Sequence, residues 1–307
     1  MKKNKIPVVV VAGATASGKT KLGIEIARQF NGEVISCDSM QIYKKLNIGT
    51  AKPTFEEMDG IVHHGIDIAE PTEEFSVQKF CEYAHEKIKD IHARGKLPVL
   101  VGGTGLYIDN VILATTFTAP ERNDELSLSL RRFAEENGND ALYQILLEED
   151  PEAGAKLHPN DVKRIIRAIE TVRTTGKSRR ELDELSRGES PYNAVFFAID
   201  MDRALLYERI NKRVDIMIED GLIDEVKSLY PQRKALKTAL SAIGYREILA
   251  YLKGLATLFE ATELIKRNSR RYAKRQLTWF RRNKDIHWLN ALNATDEAAE
   301  IIKENLL

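Results

Sequence analysis

The stretch Gly13, Ala14, Thr15, Ala16, Ser17, Gly18, Lys19, Thr20 constrains this chain more than any other. It follows an apolar β-branched run, Val8 to Val11, and precedes a helical pattern carried by Leu22, Ile24, Ile26 and Ala27. A strand, a glycine-rich turn and a helix with the spacing G-x-x-x-x-G-K-T describe a phosphate-binding loop. Gly13 and Gly18 let the backbone curl so that successive N–H groups point inward. Lys19 can then reach the outer phosphates, and the Thr20 hydroxyl is placed to ligand Mg²⁺. A turn that only packs a helix on a sheet does not account for the full spacing in this context. The chain is expected to bind a di- or triphosphate. The loop leaves open what is done with it, because most such loops serve nucleotide hydrolysis or phosphoryl transfer.

At 307 residues, with 43% hydrophobic and 30% charged content, the chain is long enough for a sizeable core and has the composition of a soluble globular protein. Lys+Arg and Asp+Glu both total 46, so net charge says nothing about partners; the basic residues do, because they cluster late. Cys37 and Cys81 are too few and too far apart for a disulfide framework or a metal knuckle, which fits a reduced cytoplasm. The basic start, Met1 to Lys5, precedes a short apolar run that leads straight into the phosphate loop, so it reads as a strand and not a signal peptide. No apolar segment approaches the roughly 20 residues that span a bilayer.

After the first helix, Gly32 to Cys37 reads as a second buried strand that ends at Asp38, in Asp38-Ser39-Met40-Gln41-Ile42-Tyr43. A carboxylate there lies where open α/β sheets place their chemistry, although Asp is also a preferred helix N-cap. The loop Ile48 to Pro53 leads to His63, His64, Gly65, Ile66 and Asp67. No third ligand at knuckle or helical spacing accompanies the two histidines, so a structural role outweighs a metal one. A helix with Val77, Phe80, Cys81, Ala84 and Ile88 ends near Gly95. Leu97 to Val101 is a third strand opening into Gly102-Gly103-Thr104-Gly105-Leu106-Tyr107. Its glycines permit close backbone approach, and Thr104 is expected on the same rim as Asp38 and Lys19.

From about Thr118 to Ser190 the pattern is charged and helical: Leu126 to Glu136, Ala141 to Glu149, and Asp161 to Thr175 closed by Gly176. In the last, Val162, Ile165, Ile166, Ile169 and Val172 recur at helical spacing and face inward, with Lys163, Arg164 and Arg167 on the other side. With Arg173, Lys177, Arg179 and Arg180 added and only Glu170 opposing, contact with a phosphate backbone is a reasonable use of this face. The core resumes with a strand at Ala194 to Ile199 and a helix from Arg203 to Glu219. That helix carries Arg209 and Arg213 one turn apart, either of which could clamp developing negative charge. The last long helix, near Glu263 to Arg282, holds Lys266, Arg267, Arg270, Arg271, Lys274, Arg275, Arg281 and Arg282 beside Tyr272, Trp279 and Phe280, and Lys284 follows it. No acid stands between Lys266 and Lys284, a pattern suited to an RNA backbone and its unstacked bases. A final strand, Ile286 to Leu289, should close the sheet edge. The expected fold is α/β: a P-loop NTPase-like parallel sheet core from residues 1–117 and 191–307, with an all-helical insertion at 118–190.

Together these motifs resemble one family, the tRNA dimethylallyltransferases or tRNA isopentenyltransferases (IPP transferases). The resemblance is carried by GATASGKT, DSMQIY, IGTAKP, HHGID, GGTGLY, HPND at His158 to Asp161, KRIIRAIE, AIGYRE and RRYAKRQLTWFR at Arg270 to Arg281, in the family's order and over nearly the whole chain. It implies transfer of a dimethylallyl group from dimethylallyl diphosphate to N6 of adenosine at tRNA position 37, beside the anticodon, with the phosphate loop and Mg²⁺ on Thr20 holding a leaving group. By the same resemblance Asp38 is the general base, Thr104 helps orient it, and Arg213 is the clamp arginine. The target base must be flipped out of the anticodon loop. Asp38, Ser39, Met40 and Gln41 are then expected to meet that base. The matching tRNA contacts are Lys163, Arg164, Ile165, Ile166 and Arg167; Ser241, Ala242, Ile243, Gly244, Tyr245 and Arg246; and Arg270, Arg271 and Lys274. The partners implied are the tRNA anticodon stem-loop and dimethylallyl diphosphate, with no membrane, for a cytoplasmic monomer.

Two positions depart from the family pattern. Ala14 stands where proline is usual, and Ser127 stands where many members have arginine. Three other readings use fewer of the motifs. An adenylate isopentenyltransferase acting on free AMP, ADP or ATP would not need the insertion or the basic helix. A small-molecule P-loop kinase leaves HHGID, AIGYRE and that helix idle, and a non-catalytic RNA-binding protein leaves the rim residues idle.

Overall fold

The computed structural model describes residues 5–115, 123–185, 189–236 and 238–306. They divide into two compact units, Met1–Ile112 with Ser190–Leu307, and Leu113–Glu189. The first unit opens with β1 (Ile6–Ala12), α1 (Lys19–Gln29), β2 (Gly32–Ser36), α2 (Phe55–Met58), β3 (His63–His64), α3 (Val77–Ala93), β4 (Leu97–Gly102) and α4 (Gly105–Ile112). The second unit contains α5 (Asp124–Asn137), α6 (Asn139–Glu149), α7 (Pro151–Gly154), α8 (Val162–Thr175) and α9 (Arg179–Leu185). The first unit then resumes with β5 (Tyr192–Asp200), α10 (Arg203–Glu219), α11 (Leu222–Leu229), α12 (Tyr245–Leu252), α13 (Leu258–Phe280), β6 (Ile286–Asn290) and α14 (Ala294–Leu306).

The six strands form one sheet in the order β3-β2-β4-β1-β5-β6, and every pairing is parallel. This is the P-loop NTPase-like α/β fold. Helices cover both faces of such a sheet, so its central strands read as unbroken apolar runs. Val8, Val9, Val10 and Val11 of β1 are all 0% exposed. On one face Val9 and Val11 pack with Leu22 and Ile26 of α1, Phe197 of β5, and Ala298 and Ile302 of α14. Because the strands run the same way, the chain leaves β1, β2 and β4 at one edge. The phosphate loop, Asp38 and the Gly102–Thr104 turn follow those three strand ends directly.

The helical unit has its own core. Ile165, Ile166 and Ile169 of α8 are buried with Leu130 and Ala134 of α5 and Leu142 and Leu146 of α6. Ile165 and Ile166 therefore have no side chain free for a partner, and only the basic members of that run face outward. Those basic residues are also more opposed than the sequence suggests. Arg167 pairs with the buried Glu170 at 2.9 Å, Arg173 with Glu149 at 2.6 Å, and Arg180 with Glu152 at 2.5 Å. Glu149 and Glu152 come from other helices, so the opposition is invisible at helical spacing. Lys163 is left exposed, and Arg164 pairs with Asp161 at 3.4 Å on the surface. Ser127 is buried on α5.

Several boundaries differ from expectation. β2 stops at Ser36, which leaves Cys37 and Asp38 in the turn beyond it. His63 and His64 form a short edge strand that pairs with Val34 and Ile35. α13 starts at Leu258 and not near Glu263, because Thr257 and Glu260 form a reciprocal capping box. It ends at Phe280, with Arg281 already in the capping position. Helices α11 and α14, absent from the sequence reading, brace the sheet unit; the Thr295 hydroxyl of α14 donates to Glu25 of α1. The expected boundary at Thr118 lies outside the described residues. No described helix is long and apolar enough to cross a membrane.

Candidate active site

Gly18 takes φ +94° immediately before α1, a left-handed conformation that a side chain disfavours, and so turns the chain into the helix. The first N–H groups of α1 have no partner inside the helix and face the loop interior. Ala14 is fully buried, and its carbonyl accepts from Lys19 Nζ at 3.2 Å, so the residue that replaces the family's proline still supplies a loop contact. Ser17 Oγ is buried and makes no hydrogen bond within the protein. An anion with several acceptor oxygens would satisfy both the serine hydroxyl and the helix N–H groups.

A cavity of about 390 Å³ extends from this loop. Thr15, Lys19 and Thr20 line one side, and Asp38, Ser39, Met40 and Gln41 line the rim after β2. Asp38 Oδ1 accepts from Met40 N at 2.9 Å and Gln41 N at 3.4 Å, which fixes the carboxylate in the turn. The Thr104 hydroxyl accepts from Ser39 N at 3.2 Å, and Thr104 N donates to Cys37 O at 3.2 Å. The turn after β4 is thereby joined to the rim, although Thr104 does not itself line the cavity. Gln41 is occupied internally: its amide nitrogen donates to Thr50 O and Ala51 O, and its oxygen accepts from Ser36 Oγ at 3.0 Å. Its side chain positions the Ile48–Pro53 loop.

Arg213 of α10 reaches the cavity together with Ile210, Val214 and Met217, whereas Arg209 stays exposed outside it. Ser241, Ala242, Ile243 and Gly244 also line the cavity. Tyr245 is buried, and its hydroxyl donates to Glu225 Oε1 at 2.6 Å; Arg246 is exposed and pairs with Glu247 at 2.6 Å. Glu225 also accepts from Asn47 N, Ile48 N and Gly49 N, and so anchors the same loop as Gln41. Glu225 carried no signal in the sequence.

The basic helix α13 is two-sided. Arg267, Arg271 and Lys274 are exposed and, among the described residues, make no ion pair, whereas Lys266 pairs with Asp215 at 2.7 Å and Arg270 donates to Asn211 at 2.5 Å. Two of the three aromatics beside its basic residues are taken up inside the protein, contrary to a role for them in stacking on RNA bases, and the third faces the cavity. Phe280 is buried, Trp279 donates to Asp109 at 2.8 Å, and Tyr272 lines the cavity. Gln276, also on this inner face and not singled out by the sequence, lines the cavity too.

His63 and His64 are held structurally. His63 Nδ1 contacts Ile61 O at 2.9 Å, and His64 Nε2 contacts Glu33 at 2.7 Å. Among the described residues no three His, Cys, Asp or Glu side chains converge as a metal site. The hard hydroxyl oxygen of Thr20 in this cavity suits a Mg²⁺ ion that would take its remaining ligands from a diphosphate and water.

Enclosure by the loop lowers the Lys19 pKa from 10.5 to about 8, against the raising effect of Asp38, and the positive charge of Arg213 lowers it further. In the free chain Lys19 is therefore charged below about pH 8 and neutral above it, while a bound anion would hold the proton. Pyrophosphate affinity is expected to fall by up to about tenfold per pH unit above that point. The same titration in Lys19→Gln removes the anion's own ionisation from the comparison, and parallel curves for the two proteins would overturn the expectation. Between about pH 8 and 10.5 the unfolded chain keeps a proton that the folded one has lost, so the stability of the free chain rises with pH there.

The family described as IPP transferase matches residues 41–283, and that described as Isopentenyl transferase matches residues 6–69. A tRNA dimethylallyltransferase of Acetivibrio thermocellus is 50% identical over 298 residues, covering 96% of this chain and 95% of its own length. One from Bacillus licheniformis is 49% identical over 290 residues, covering 94% and 92%. Among solved structures, a tRNA isopentenylpyrophosphate transferase from Bacillus halodurans is 45% identical with a TM-score of 0.74, covering 98% of this chain and 97% of its own. A eukaryotic dimethylallyltransferase acting on tRNA is 32% identical with a TM-score of 0.82, covering 97% and 78%.

Proposed function

This chain belongs to the IPP transferase family, enzymes that prenylate tRNA, and we propose that it transfers a dimethylallyl group from dimethylallyl diphosphate to N6 of adenosine at tRNA position 37. The supporting observation is a single cavity lined by the phosphate-loop residues Thr15, Lys19 and Thr20, by the Asp38 carboxylate, and by the apolar side chains of Ile210, Val214 and Met217. Apolar lining beside a phosphate loop and a carboxylate suits a five-carbon allyl group carried on a diphosphate. A kinase would have to place a second polar acceptor there.

In this reaction N6 attacks C1 of the allyl group, the C1–O bond breaks, and its electron pair leaves on the diphosphate. Asp38 takes the N6 proton, which the poorly nucleophilic adenine amino group must lose. Lys19, the loop N–H groups, Ser17 Oγ and Arg213 receive the leaving diphosphate and offset its growing charge. Mg²⁺, when bound through Thr20 and the diphosphate oxygens, adds charge neutralisation at that leaving group. Thr104 keeps the Ser39 turn, and with it Asp38, facing the cavity. The base is flipped from the anticodon stem-loop past Ser39, Met40 and residues 241–244, while Lys163 in the helical unit and Arg271 and Lys274 on α13 contact phosphates. Free buried thiols at Cys37 and Cys81 fit a cytoplasmic enzyme, and we read it as acting as a monomer.

The test offers purified protein, Mg²⁺ and dimethylallyl diphosphate with unmodified tRNA and with AMP in parallel, and identifies nucleosides by mass spectrometry. Isopentenyladenosine from tRNA alone is expected. Product from AMP alone would make this a free-nucleotide enzyme, and ATP turnover with no prenylated product would make it a kinase. The RNA face has its own test. Reversing charge at Arg271 and Lys274 is expected to weaken tRNA binding and flatten its dependence on log salt by roughly 0.7–0.9 for each phosphate that is no longer neutralised. An unchanged slope would place the RNA elsewhere.

A further inference from the structure

We propose that Gln276 is a positioning residue for the transfer: its carboxamide ties the phosphate loop to the turn after β4 and so sets the separation between the diphosphate cradle and the Asp38 rim. The role in transfer rests on the proposed use of the cavity for a diphosphate and a base. Strands β1 and β4 are held together by their ladder as far as Ala12 and Gly102. Past that pair, among the described residues, no backbone hydrogen bond joins the two loops. The Gln276 side chain bridges them at that point. Its Oε1 accepts from Thr15 N at 2.9 Å, and its Nε2 donates to Gly103 O at 2.9 Å.

Three observations make this a built connection. Gln276 is 5% exposed, and both ends of its amide are engaged; exchanging oxygen and nitrogen would set donor against donor and acceptor against acceptor. A Cβ on Gly103 would lie 2.0 Å from Gln276 Nε2, so only glycine admits the amide. One turn earlier on the same face of α13, Tyr272 lines the cavity near Asp38, its phenol kept protonated by burial and pushed up to about 12. The inner face of α13 therefore forms part of the wall of the reaction site while its outer face carries exposed cations. Gln276 acts through the loop it holds, since each end of its amide is engaged with the protein backbone.

The test compares wild type with Gln276→Leu, which removes both bonds, and with Gly103→Ala, which displaces the amide from the other side. Pyrophosphate binding with Mg²⁺ is measured by calorimetry, and KM for dimethylallyl diphosphate, KM for tRNA and kcat are measured separately. Displacing the cradle by about an ångström should weaken pyrophosphate binding and lower kcat/KM for dimethylallyl diphosphate by about 10- to 100-fold, with KM for tRNA within about twofold. A folded Gln276→Leu protein with wild-type pyrophosphate affinity would overturn the proposal. So would equal losses toward pyrophosphate and tRNA, or failure of both variants to fold, since either would make Gln276 a residue of general stability. If Gln276→Leu alone fails to fold, Gly103→Ala decides by the same readouts. Pyrophosphate binding does not depend on which group is transferred. Failure to form isopentenyladenosine with this binding pattern intact would therefore count against the transfer reading and not against the tie.

Discussion

Asp38→Asn is expected to lower kcat for dimethylallyl transfer by about 10²–10⁴ while leaving pyrophosphate binding near wild type at pH 7. Asparagine keeps an oxygen that can accept from Met40 N and Gln41 N, so the turn after β2 should survive. What it loses is the ability to take a proton from N6 at the moment the N–C bond forms. Asp38 also supplies the one effect that raises the Lys19 pKa, so its neutralisation shifts the lysine's loss of charge to lower pH. Pyrophosphate affinity should therefore be compared at pH 7 and again above pH 8, where the variant is expected to bind more weakly than wild type. An Asp38→Asn enzyme that retained more than about a tenth of the wild-type rate would remove Asp38 as the base and leave the proton to water or to another group at the rim.

Arg213→Ala is expected to cost about 10²–10³ in kcat, with a smaller change in KM for dimethylallyl diphosphate, by analogy with loss of one donor to a developing anion. Arg213 and Lys19 both line the cavity, and each raises the cost of charging the other in the free protein. A diphosphate relieves that repulsion, most strongly after C1–O cleavage, when its charge is largest. Arg213→Lys should recover only part of the rate, because an ammonium keeps the charge but lacks the planar fork that meets two oxygens at once. Arg209, one turn earlier but outside the cavity, serves as the comparison, and its substitution by alanine should leave kcat within about twofold of wild type by virtue of its solvent position. Equal losses at Arg209 and Arg213 would mean that α10 contributes through packing and not through a clamp.

The legibility of this protein in its sequence follows the range of the interactions involved. The phosphate loop could be read because strand, turn and helix lie within consecutive residues, and Gly18 adopts the left-handed conformation that the motif requires. The direction of the strands was implied by the lengths of chain between them, and with it the gathering of Lys19, Asp38 and Thr104 at one edge. Helix α8 was legible for the same local reason, since Ile165, Ile166 and Ile169 repeat at the helical period. The same periodicity failed at α13. It identified the basic face but assigned Trp279 and Phe280 to RNA, because a helical repeat does not reveal which aromatic side chains other elements will cover.

The amino-acid sequence by itself determined the chemistry available here: a diphosphate cradle, a carboxylate at a strand end, a cation on a later helix and a basic outer surface. These depend on residue type and on short spacings, which any chain of this pattern must express locally. Only the tertiary structure decided which groups are free to act. It occupied Gln41 with Thr50 and Ala51, withdrew Arg209 from the cavity and admitted Arg213, and set Glu225 beneath the Ile48–Pro53 loop. It also brought Gln276 to Thr15 across 261 positions of sequence. Such contacts arise from the packing register of whole helices against a finished sheet edge, and no local periodicity encodes them.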